Sequence, residues 1–239
     1  MPADPDHRSS TVDLNADLGE EVTDDAGLLA VVTSANVACG FHAGTPEIMR
    51  TVCAGAARLG VVVGAQVSYR DRAGFGRVAR DVGFDDLRDQ VAEQVGLLEE
   101  IAEAEGSEVR YVKPHGALYH RVTGDAEQAA AVLAGSGDLP VLGFPGSLLL
   151  GLAADAGRPS YTEGFPDRGY ADGHLVERGR PGALIEEPDG IARQALALAP
   201  SVASLCVHGD SPGAVAHAHA VRRALTAAGY RLASFLTVG

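Results

Sequence analysis

The chain has no tryptophan, two methionines and one lysine among its 239 residues. Its three cysteines, Cys39, Cys53 and Cys206, form no CxxC pair. That spacing indicates neither a disulfide framework nor a zinc knuckle. Cys39 and Cys206 end apolar runs and read as small buried hydrophobes. Positive charge is scarce: 19 lysines and arginines face 32 acids, for a net charge of −13. Such a chain offers no general basic face to nucleic acid or an anionic membrane. A local pocket of cations can still hold a small anion. Long apolar runs are also missing. One long uncharged stretch, residues 139–154, contains Pro140, Pro145 and three glycines, so it is no membrane span. No signal-peptide core opens the chain. Residues 1–10 read as a flexible tail and 11–239 as one domain of a cytoplasmic protein. Neither GxxxxGK[ST] nor GxGxxG occurs, so the chain lacks a standard nucleotide cradle.

What is present is a regular alternation. With 46% hydrophobic residues, the chain can bury a large core. Short β-rich runs fall at 10–14, 34–39, 61–67, 109–112, 140–144, 160–163, 204–207 and 232–236. Helical patterns lie between most of them. Thr45 and Pro46 suit the start of a helix that Gly60 stops, with Ile48, Val52, Ala56 and Leu59 along one face. A second helix runs over 85–105, with Leu87, Val91, Val95, Leu98 and Ala102 inward. A third starts at Pro212 and ends before Gly229, with Val215, Ala218, Val221 and Leu225 on one side. Seven or eight β-α units in this length favour a parallel barrel over an open sheet.

Unusual polar residues cluster where these strands end. Asn15, Asp17 and Glu20 follow the first strand, and Asn36 and His42 end or follow the second. Gln66, Ser68 and Tyr69 follow the third, and Lys113 and His115 the fourth. Glu163, Asp167 and Arg168 follow the sixth, and His208 and Asp210 the seventh. In a β/α barrel all such ends meet at one face, where active sites are built. The neighbouring Gly40, Gly44, Gly116 and Gly209 would let backbone approach a ligand. Lys113 stands out as the single compact ammonium among eighteen arginines. A site needing a point charge, or a proton that can leave, accepts lysine and not the planar fork. Other residues have plainer readings. Asp13 suits strand-end hydrogen bonding, and Asp210 or Ser211 suits a helix N-cap as well as a pocket. Glu163 and Asp167 can anchor Arg168, while His217 and His219 read as surface residues.

The segments 13–20, 34–46, 64–78, 112–120, 163–178 and 206–215 together resemble the LamB/YcsF family. That family is identified with the A component of the prokaryotic ATP-dependent 5-oxoprolinase. The resemblance implies a single-domain (β/α)7-type barrel akin to glycoside hydrolase/deacetylase folds. It also implies work with partner subunits B and C, opening 5-oxoproline to L-glutamate at the expense of ATP. The lactam is an unstrained amide; phosphorylating its carbonyl oxygen makes it an electrophile that water can attack. Such a site needs a base, a cation for developing charge and an acid for the leaving nitrogen. Asp17 is the candidate base, Lys113 the cation, and His42, His115 and His208 the proton carriers. Arg168 or Arg77 suits the substrate carboxylate, with Asn15, Asn36, Glu163 and Asp210 as further binding candidates. Two alternatives stand beside this. A divalent metal can sit on Asp17, His42 and His115 or His208, as in deacetylases of related fold. A non-catalytic chain of this kind can instead capture a small carboxylate for its partners. The sequence departs from the family pattern at Gln66, where a histidine is usual, and at Ala16, Thr45 and Pro166.

Overall fold

A computed structural model describes residues 11–211 and 213–236. The expected tail over 1–10 and the helix start at Pro212 lie outside the described residues. Seven strands form the centre: β1 (Thr11–Leu18), β2 (Ser34–Ala38), β3 (Val62–Val67), β4 (Val109–Pro114), β5 (Val141–Gly143), β6 (Ser160–Gly164) and β9 (Ser204–Val207). Each pairs in parallel with the next, and β9 pairs with both β6 and β1, so the sheet closes into a barrel. The expected strand over 232–236 shrinks to β10 (Arg231–Leu232), which lies along the first two residues of β1. Between β6 and the next helix, a two-stranded hairpin, β7 (Tyr170–Ala171) and β8 (His174–Leu175), interrupts the alternation.

Helices wrap the outside: α1 (Asp25–Leu29), α2 (Pro46–Leu59), α3 (Phe84–Ala104), α4 (Gly116–Arg121), α5 (Ala126–Gly135), α6 (Leu148–Asp155), α7 (Pro188–Leu198) and α8 (Ala214–Ala227). Thr45 caps α2 by accepting from the Ile48 amide at 3.3 Å, and Gly60 ends it in the left-handed region, as its sequence predicts. Of its expected inward face, Val52 and Ala56 are buried and Ile48 packs against the core, with Met49 and Cys53 beside them, while Leu59 is exposed. Helix α8 starts on Gly213 without a side-chain cap, so neither Asp210 nor Ser211 caps it. His217, expected at the surface, is buried in α8.

β1 is longer than its apolar pattern suggests. Leu14, Ala16 and Leu18 pack outward in the core while Asp13, Asn15 and Asp17 fill the barrel. A seven-strand barrel is too narrow for an open channel, so side chains occupy its axis. Here the part of the filling contributed by β1 is polar and hydrogen-bonded, as buried polar groups require. Asp13 accepts from Thr33 Oγ1 at 2.6 Å, Ser34 Oγ at 2.7 Å and the Ser204 hydroxyl. Asn15 donates to Ser204 Oγ at 2.6 Å and accepts from Asn36 at 2.7 Å. Asn36 also donates to Asp17 Oδ1 at 2.9 Å, and Tyr111 donates to Asn36 at 2.6 Å. Burial pushes the Asp13 carboxyl up to about 6 despite these three hydroxyls. β4 likewise runs on through Lys113, which sits inside the ring rather than after it.

Candidate functional site

The polar column ends at the C-terminal mouth of the barrel in a buried ion cluster. Lys113 Nζ lies 3.1 Å from Asp17 Oδ1 and 3.1 Å from Glu163 Oε2. It also donates to Cys206 Sγ at 3.1 Å. Cys206 is therefore not a plain packing residue like Cys39 but a neighbour of the ammonium. Burial works against the charge on Lys113, yet Asp17, Cys206 and Glu163 outweigh it and hold its proton well above the usual range. Of the two options the sequence left open, Lys113 is thus a fixed point charge. Burial also raises Asp17, but Lys113 and His208 overcome this, so its carboxyl stays below the ordinary value. Glu163 goes the other way, because burial exceeds the pull of Lys113. Two buried carboxylates share one cation, so proton uptake falls to Glu163. A buried ion triad is weak support for stability, and its place at a barrel mouth makes it a candidate site.

Beside this cluster, His208 Nδ1 sits 2.9 Å from Asp167 Oδ2 and 3.0 Å from Oδ1. Asp167 also accepts from the His208 amide at 3.0 Å, so one carboxylate fixes both ring and backbone. The expectation that Glu163 and Asp167 anchor Arg168 is corrected. Glu163 serves Lys113, Asp167 serves His208, and Arg168 bonds the carbonyls of Ala183 at 3.1 Å and Val176 at 2.6 Å. Asp167 is the residue whose part sequence reading missed. Its only signal was an acid three residues beyond β6.

His42 and His115 form a separate group with Glu20. Their rings stack at 4.1 Å between centroids, and Phe75 closes edge-on at 5.8 Å from each. His42 Nε2 is 3.7 Å and His115 Nε2 3.5 Å from Glu20 Oε1, with all three buried. Gln66 donates to Glu20 Oε1 at 3.1 Å. Neither ring nitrogen of His42 has a hydrogen-bond partner among the described residues. Burial, then His42 and Lys113, hold His115 well below its ordinary proton affinity. Ligand atoms around a tetrahedral metal with bonds of about 2.0–2.1 Å stand about 3.4 Å apart. The three side chains fit a divalent ion in spacing and in donor type. The acid in this set is Glu20; Asp17, expected there, is taken by Lys113 and Asn36.

A cavity of about 610 Å³ opens over these groups, lined by Asp17, Lys113, His115, Tyr119, Phe165, Arg168, Arg178 and His208 among others. Arg77 lines its rim, paired with Asp210. Asn15, Asn36 and Glu163 do not reach the cavity; they support those that do. The glycines act differently from expectation. A Cβ at Gly116 would strike the Gly76 carbonyl, and one at Gly209 the Asp17 carbonyl. They let loops close on each other, not on a ligand.

The chain is 53% identical over 248 residues to a Streptomyces griseus protein named as the A subunit of 5-oxoprolinase, covering 94% of this chain and 99% of that one. A Mycobacterium avium protein of the same name is 51% identical, covering 94% and 98%. The lactam utilization protein from Thermus thermophilus superposes with a TM-score of 0.87 at 35% identity, covering 94% of this chain and 99% of that one. A peptidoglycan N-acetylglucosamine deacetylase shares the fold alone, at a TM-score of 0.54 and 14% identity, covering 95% and 87%. The family model described as "LamB/YcsF family" matches residues 12–238, from the first barrel strand past the last. By that match and these relatives, the chain belongs to the LamB/YcsF family.

Proposed function

We propose that this chain is the lactam-opening component of an ATP-dependent 5-oxoprolinase, working with subunits B and C. The observation that carries this is the Asp17–Lys113–Glu163 cluster, opening into a cavity beside an Asp167–His208 pair. The names of the relatives supply the substrate. Asp17, held as a carboxylate, takes a proton from the attacking water. Lys113, whose proton is secure, faces the negative charge that develops on oxygen. Glu163, 3.1 Å from Lys113 Nζ, holds the ammonium in place. His208, oriented through Nδ1, has its other ring nitrogen for the leaving amine. Arg168 takes the substrate carboxylate. The ATP step falls to the partners, since no phosphate loop occurs in this chain. The test is reconstitution with candidate B and C subunits, following glutamate and ADP release from 5-oxoproline. Glutamate is expected only when all three are present. Its absence from the complete mixture, or full turnover by this chain alone, would count against the proposal.

The Glu20–His42–His115 cluster favours a second reading, a metal-assisted amide hydrolase. A divalent ion there would act as a Lewis acid and make a bound water more acidic. After chelation and dialysis, zinc is expected to bind at one equivalent and raise the melting temperature. The variant His42→Ala should lose both effects. A wild-type chain that takes up no stoichiometric zinc, nickel or manganese excludes this reading.

A further inference from the structure

Tyr111 is fully buried inside the ring and does not line the cavity at the mouth. An irregularity in β4 turns it inward. Val63 pairs with Val109 but Gly64 pairs with Tyr111, so the register skips Arg110. Val109 and Val112 then both pack in the outer core, while Tyr111 and Lys113 point into the ring. Gly64 makes the space: a Cβ there would lie 2.2 Å from the tyrosine ring. Phe235 meets that ring edge-on at 5.0 Å, and Leu142 and Leu236 pack beside it.

The hydroxyl at the tip of the ring bonds Asn36 Oδ1 at 2.6 Å. A side-chain amide oxygen only accepts, so the phenol donates. Burial, and then the charge of Asp13, hold that proton well above the usual range. With its oxygen taken, Asn36 gives both hydrogens of its nitrogen to the other side. One goes to Asn15 Oδ1 at 2.7 Å and one to Asp17 Oδ1 at 2.9 Å. The far end of the column demands the same orientation. Ser204 gives its proton to Asp13 and so accepts from Asn15 Nδ2, which leaves Asn15 presenting oxygen to Asn36. Lys113 bonds the same Asp17 oxygen at 3.1 Å. Asn36 and Lys113 together on Oδ1 stop the carboxylate turning and leave Oδ2 for a water in the cavity that Asp17 lines. Without the phenol, Asn36 Oδ1 would be a buried acceptor lacking its donor. The amide relieves that by moving, and its bond to Asp17 moves with it. Resting on the lactam reading, in which Asp17 activates water, we infer that Tyr111 is a positioning residue: through Asn36, its hydroxyl holds the Asp17 carboxylate in the setting that addresses the cavity.

The test is Tyr111→Phe, which keeps the ring and its packing and removes the hydroxyl. Phe235→Leu is the control, because it disturbs the same ring and leaves the hydroxyl in place. In the complex reconstituted with subunits B and C, Tyr111→Phe should lower kcat for glutamate formation about tenfold or more, with KM for 5-oxoproline changed less than about threefold. Phe235→Leu should keep kcat within about threefold of wild type. Asn36→Ala cuts the link beyond the hydroxyl and should show the same split as Tyr111→Phe. A second measurement needs no turnover. In the full chain labelled with carbon-13 at its aspartate carboxyls, the Asp17 resonance, identified by its loss in Asp17→Asn, should move in Tyr111→Phe and stay in Phe235→Leu. Full kcat from Tyr111→Phe or Asn36→Ala overturns the inference, as does a loss confined to KM. An equal loss from Phe235→Leu would make the effect one of packing and also overturn it, and so would an unmoved Asp17 resonance. A moved resonance with no glutamate from the wild-type complex would support the positioning and count against the lactam reading alone.

Discussion

Lys113 shows how much one residue's surroundings decide. Three acceptors within 3.1 Å fix its proton, so its use is electrostatic. Replacing it by arginine keeps the charge and spoils the fit. Lys113→Arg in the assembled enzyme should cut glutamate formation by about 100-fold or more. Full turnover from a folded variant would remove Lys113 from the chemistry. Asp13, at the other end of the same polar column, makes a different prediction. Its folded carboxyl keeps a proton up to about 6, whereas the ordinary value is 3.8. Between those values the folded chain binds more protons than the unfolded one, so Asp13 costs stability as pH rises. Relative to Asp13→Asn, wild type should lose about 2 kcal/mol of unfolding free energy from pH 4 to pH 7. Urea titrations at both pH values would read this, and an unchanging gap would refute it.

At the level of elements, local rules were legible and long-range ones were not. The cap at Thr45, Pro46 at the first turn and Gly60 at the end are all interactions within four residues of their own position. Thr45→Ala should therefore cost about 1 kcal/mol by chemical denaturation, with no change in ligand binding. A loss below the error of the method would show that packing of α2, not its cap, holds this helix. The ends of β1 and β4 were misjudged because Asn15, Asp17 and Lys113 break an apolar pattern. Only barrel closure explains why polar side chains belong there. The hairpin of β7 and β8 carries no alternation long enough to notice. Site positions were readable as polar residues at strand ends. Their pairings were not: Glu20 meets His42 and His115, and Asp167 meets His208, across 22 to 95 positions of sequence.

At the scale of the molecule, one end of the barrel holds the ion cluster, the histidine pair and the arginine-lined cavity. A groove of about 760 Å³ lies elsewhere, lined by Glu99, Glu108, Pro140, Tyr161 and Leu236, and touches none of the site residues. Substitutions along that groove should leave ligand affinity at the mouth unchanged. A shift in 5-oxoproline binding for Glu99→Ala would show that the two are coupled. No described helix is long and apolar enough to cross a membrane. The closure of the ring has a consequence for biosynthesis. Asn15 meets Ser204 across a sequence separation of 189. A ribosome must therefore deliver most of the polypeptide before the first strand acquires its second neighbour. Until then Asp13, Asn15 and Asp17 face water on an unsealed seam, so the polar column is assembled only after nearly the whole chain has emerged.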